Sequence, residues 1–135
     1  MAVVLGNLGD LLHEMGDDLA AEPHLHTAIA QADDLYPAAA GAFRGTLALV
    51  AGDRGAFDEA RALLEEGEAN IGDRNNIELV KLLCKRVRIE HLAGDAQAAA
   101  TVLDRAERIA REMGVGPESE LLRKIREAHE LLQEA

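Results

Sequence analysis

Three glycines, Gly16, Gly55 and Gly94, stand 39 residues apart, and the residues around them recur at the same interval. Five residues after each glycine comes an alanine (Ala21, Ala60, Ala99), and nine residues after it a leucine (Leu25, Leu64, Leu103). A small residue follows twelve residues on: Ala28, Gly67 and Ala106. A fixed period of this length marks a repeat array, in which each unit buries its apolar face only by stacking on its neighbours. The punctuation within each period is that of helices. Alanine and leucine dominate, and glycines fall where helices stop.

The spacing predicts seven helices. The first covers about Ala2–Met15, with Leu5, Leu8 and Leu12 on one stripe, and the second about Leu19–Leu35. Pro37 opens a third, where its missing N–H costs little, and that helix ends near Gly52. A fourth spans about Ala56–Asn70, and Asn75 or Asn76 caps a fifth that Gly94 stops. The sixth runs over about Ala96–Met113 before the stop at Gly114, and Gly116-Pro117-Glu118 starts a seventh. Pro23 disturbs this scheme, because a proline inside a helix deletes one hydrogen bond. It predicts either a late start near Ala20 or a bend.

Apolar residues make up 48% of the chain and aromatic residues only 2%, so the core must be built from Leu, Ala, Ile and Val. The length of 135 residues is enough for a core without metal or disulfide support. A single cysteine, Cys84, permits no internal disulfide and fits a reducing, cytoplasmic setting. No apolar run approaches the roughly 20 residues needed to span a bilayer. The net charge is −11, and residues 1–43 hold seven acids without a Lys or Arg. Such a surface argues against nucleic acid, whose binding depends on basic side chains, and would draw a basic partner to the first unit.

With Leu8-Gly9 and Leu12 in the first helix, Gly16 at the turn, and Ala21, Leu25 and Ala28 in the second, the chain resembles a tetratricopeptide repeat array. Leu47, Ala48, Gly55, Ala60 and Leu64 continue the likeness, as do Leu83, Gly94, Ala99, Leu103 and Ala106. The period is longer than that family's 34 residues. Ala51 and Glu90 stand where the family favours a large aromatic, and Arg86 where it favours leucine. The stretches Val4–Leu11, Leu82–Arg86 and Pro117–Leu121 are similar to the C-terminal repeats of large bacterial signalling proteins, among them ATPase-type regulators and serine/threonine kinases. The resemblance implies an all-α, right-handed superhelical array in one domain over residues 1–135. Its three antiparallel helix pairs are expected at about 2–35, 37–70 and 76–113, with a capping helix over 117–134.

In such arrays the first helix of each pair lines a concave groove that takes a peptide. The resemblance therefore implies a lining of Asp10, His13 and Glu14, then Leu49 and Asp53, then Lys81, Cys84, Arg88 and His91. The expected activity is capture of a protein or peptide, with no cofactor and no metal. The alternative is self-association through the apolar start of the chain, at Val3, Val4 and Leu5, which either continues into earlier repeats or pairs with another subunit.

No enzyme constellation emerges. Glu65-Glu66 and Asp17-Asp18 are neighbours in sequence, and adjacent helical residues diverge rather than converge on a substrate. No phosphate-binding glycine loop or nucleophile elbow is present. His24 and His26 lie two apart and point to opposite sides of a helix, so they do not chelate one ion. Cys84 sits on a leucine-rich stripe, the position of a core residue rather than a nucleophile.

Overall fold

A computed structural model describes residues 1–73 and 75–134. Among these residues the chain is all-helical: α1 (Ala2–Glu14), α2 (Asp18–Ala32), α3 (Pro37–Asp53), α4 (Phe57–Ile71), α5 (Asn76–Leu92), α6 (Ala96–Met113) and α7 (Glu120–Gln133). Consecutive helices pack as pairs, α1 on α2, α3 on α4 and α5 on α6, and each pair packs on the next. This is the architecture of a helical repeat array. In it α3 touches both α1 and α5, and α7 closes over α5 and α6.

The glycine period is a period of backbone geometry. Gly16, Gly55 and Gly94 have φ of 83°, 79° and 83°, the left-handed region open to glycine. Behind each, the same bond caps the preceding helix: Asp17 N–H to Leu12 C=O (2.8 Å), Ala56 to Ala51 (2.9 Å), Asp95 to Glu90 (2.9 Å). These six-residue closures satisfy carbonyls that a helix end leaves orphaned and turn the chain sharply into the next helix. The alanines and leucines after them then fall at the crossing between paired helices. Ala21, Ala60 and Ala99 are fully buried, and Leu25, Leu64 and Leu103 are at most 2% exposed.

Successive units are joined by a second repeated contact. The Phe43 ring of α3 lies on Gly6 of α1, leaving no room for a Cβ there. One period later, Leu82 of α5 lies on Gly45 of α3, where an added Cβ would stand 2.6 Å from the leucine methyl. A large apolar residue thus seats on a glycine of the preceding unit, which lets the helices approach closely. An ion pair reinforces the second junction. Glu90, 4% exposed, receives Arg61 Nη2 at 2.7 Å and Nε at 2.9 Å. That pairing gives a buried acid a role at a position where an aromatic was expected from the family pattern.

Two helices depart from the sequence reading. α2 does not start late; it begins at Asp18 and continues through Pro23 to Ala32. Asp17 caps it, accepting Ala20 N–H at 3.2 Å. The single carbonyl that Pro23 leaves without its donor belongs to Leu19, a residue 90% exposed, where water can take the place of the missing N–H. α7 starts at Glu120 rather than beside Pro117, because Ser119 is its cap, accepting Leu122 N–H at 3.2 Å. Among the described residues no helix is long and apolar enough to cross a membrane.

Candidate functional site

The first helix of each pair, with α7, lines one open groove of ≈ 1190 Å³. Its position follows from the period, since residues 39 apart take equivalent places on α1, α3 and α5. Asn7, Thr46 and Lys85 form one such row, and Asp10, Leu49 and Arg88 the next; all six line the groove. The structure therefore brings together Asp10, His13, Glu14, Leu49, Asp53, Lys81, Cys84 and Arg88. His91, equivalent to His13 in sequence, is half-buried and is not among the lining residues; Leu92 takes a place there. Of the apolar start, Val3 lies on the groove edge, Val4 is exposed, and Leu5 packs inward against the cluster of Leu25, Phe43 and Leu47.

The two flanks of the groove differ in charge. α1 and the end of α3 contribute Asp10, Glu14 and Asp53, with no Lys or Arg among the lining residues of either. α5 and α7 contribute Lys81, Lys85, Arg88 and Lys124, together with Glu78, Glu120 and Glu127. Lys81 lies 3.8 Å from Glu78 and 3.9 Å from Glu120, and Lys124 lies 3.9 Å from Glu120, so these charges are partly committed to one another. Arg88 has no carboxylate within ion-pair distance among the described residues, although it acts on Asp18 and Asp53 through its charge.

On the floor, Lys85 Nζ donates to Ala42 C=O at 3.3 Å and to the Thr46 hydroxyl at 3.2 Å. Burial lowers its pKa, while the nearby charge of Asp10 pulls the other way. Burial likewise raises the Asp10 carboxyl, with Thr46 and Lys85 drawing it partly back. Asp10 Oδ1 is buried without a hydrogen-bond partner, which costs free energy until a donor reaches it. Cys84 is also half-buried here, and burial pushes its thiol up to about 11, so it is a poor nucleophile at neutral pH.

At the acidic end the turn after α1 meets the end of α3. His13 Nδ1 lies 2.7 Å from Asp18 Oδ1 and 3.9 Å from Asp53 Oδ2. Burial first, and then the hydrogen bond and charge of Asp18, raise the Asp53 carboxyl. Burial works against an ionised Asp18 as well, yet hydrogen bonds from Asp53 and His13 outweigh it and hold its pKa low. Below its raised pKa, Asp53 is the member of the pair that carries the proton and can donate it to Asp18. These three residues offer donor atoms within 4.8 Å of one another, the geometry of a partial metal site. They supply three ligands of the four that zinc takes in structural sites, and the Arg88 charge opposes a cation beside them.

Neither protein-family models, nor curated proteins, nor solved structures gave a match to this chain. The groove must therefore be read from its own chemistry. Sequence reasoning missed Thr46, Lys85 and the α7 residues Lys124 and Glu127 as lining. The 39-residue interval that joins Asn7, Thr46 and Lys85 was the available signal for the first two. Nothing in the period pointed to α7, which lies outside the three units.

Proposed function

We propose that this chain is a non-enzymatic binding module whose groove takes a peptide segment of a partner protein. The observation that carries the reading is the alignment of one helix face from each unit, with α7, into a single continuous trough of opposed charge. Clefts that accept extended or helical segments combine an apolar floor with a few placed polar groups. Here Ala39, Leu92 and Leu131 supply apolar surface along the groove. Charge complementarity selects the occupant: a segment with a basic side chain directed at Asp10 and Glu14, and an acidic one directed at Arg88. The likeness to the C-terminal repeats of bacterial signalling regulators would make it a docking segment of such a protein.

Selection from a random phage-displayed peptide library tests this directly. The expected peptides carry a basic residue and an acidic residue at fixed separation and bind the chain with micromolar affinity. Arg88→Glu combined with His13→Ala should weaken them at least tenfold without changing the helical circular dichroism. Failure to select any peptide, or peptides indifferent to these substitutions, would remove the groove as the binding site.

A further inference from the structure

The turn after α1 gathers His13, Asp18 and Asp53 from three helices. His13 lies in the last turn of α1, Asp18 opens α2, and Asp53 is the final residue of α3. One donor atom of each lies within 4.8 Å of the other two. His13 Nδ1 stands 2.7 Å from Asp18 Oδ1 and 3.9 Å from Asp53 Oδ2. Ligands bound about 2.1 Å from a tetrahedral metal ion stand roughly 3.4 Å apart, so these two separations bracket what a chelate needs. Side-chain torsions alone cover the difference. His13 and Asp18 are five residues apart, no chelating interval on one helix; the turn at Gly16 is what makes the cluster.

Two observations beside the cluster itself point to a cation. The first is uncompensated charge. Among the described residues neither Asp18 nor Asp53 has a Lys or Arg within ion-pair distance, and His13 is the ion-pair partner of both. The His13 side chain is only 9% exposed, so the imidazole is held in place rather than swinging in water. The second is position. α1 ends in Glu14 and α3 in Asp53. The orphan carbonyls of a helix C-terminus form its negative pole, where a carboxylate is disfavoured and a cation favoured. Two helices thus bring acids and negative poles to the same end of the groove.

We propose that His13, Asp18 and Asp53 bind a divalent transition-metal ion of the zinc type, with the fourth coordination place open to the groove that His13 and Asp53 line. The donor set selects the ion. One imidazole with two carboxylates suits zinc and its neighbours, whereas calcium takes six to eight oxygens and magnesium a near-octahedral shell of oxygen and water. Three protein ligands with one open place make an exchangeable site rather than a closed structural one. Arg88 opposes the ion, but from beyond ion-pair distance of either carboxylate. Because it is exposed, it is free to pair with an anion that reaches the open place. The bound ion ties the first unit to the second, since its ligands come from α1, α2 and α3. It needs no peptide, so this site and the proposed occupant of the groove stand or fall separately.

Isothermal titration of the full, chelator-stripped chain with zinc chloride at pH 7 tests the site. The expected result is one ion per chain at micromolar affinity, with a melting temperature that rises with zinc, because an ion that binds only the folded chain stabilises it. His13→Ala and Asp53→Asn should each weaken binding at least tenfold. His26→Ala should leave it unchanged, and Arg88→Gln, which removes the opposing charge, should tighten it. Asp53→Asn keeps a hydrogen bond toward Asp18, and an undiminished melting temperature in chelator would show that its loss of zinc is not misfolding. Calcium and magnesium should bind at least tenfold more weakly than zinc. Any of three results would overturn the proposal: no binding up to millimolar zinc, binding that survives both His13→Ala and Asp53→Asn, or calcium held as tightly as zinc.

Discussion

Asp53 shows how one side chain in the groove sets a pH dependence. Its carboxyl is held above the usual 3.8, so the folded chain keeps a proton that the unfolded chain releases. The stability this proton confers is fully present below that value and is lost as pH rises through the raised pKa. Asparagine would keep a donor toward Asp18 at every pH. Asp53→Asn is therefore expected to unfold roughly 2 °C above the parent protein at pH 7 and at the same temperature near pH 3. Thermal melts by circular dichroism at both pH values check this, and equal shifts at both would contradict the shared proton. Asp53 was legible in the sequence as a groove residue, but its contact with Asp18 was not. The two belong to different units, and only the turn at Gly16 brings Asp18 back beside the end of α3.

At the scale of the helix, the caps show both how closely the sequence can be read and where it lapses. Asp17 and Asp95 stand two periods apart, and each accepts a backbone N–H three residues on, at 3.2 Å and 3.0 Å. Ala56 fills the equivalent place before α4, with closely similar backbone angles (φ −85°, ψ 67°) and no side-chain cap. Ala56→Asp should restore the missing bond to Glu59 N–H and stabilise the protein by about 1 kcal/mol. Its melting point would then rise by about 4 °C. No gain would mean that the packing of Ala56 against the core outweighs the cap. The turn glycines and Pro37 fixed most helix ends in advance, because each imposes a local conformation. At Pro23 the sequence left two outcomes open, a late start near Ala20 or a bent helix running through the proline. The cap at Asp17, which starts the helix at Asp18, and the exposure of Leu19 favour the continuation.

For the molecule as a whole, the period foretold the stacking of units but not how tightly they would be joined, because the seat of Phe43 on Gly6 depends on residues 37 positions apart. In an array of this kind each unit is held by its neighbours, so damage to one junction should stay near it. Gly6→Ala tests that directly. The added methyl would overlap the Phe43 ring, an overpacking cost of about 1–3 kcal/mol that the better helix propensity of alanine offsets by about 1. Among the described residues α1 and α2 pack on the rest of the chain mainly through α3, whereas α5 is held by α3, α4, α6 and α7. Amide hydrogen exchange should therefore speed up in α1 and α2 while α5 and α6 keep their protection. A uniform loss from end to end would show instead that the seven helices open as one block, and that the junction at Gly6 carries the stability of the entire stack.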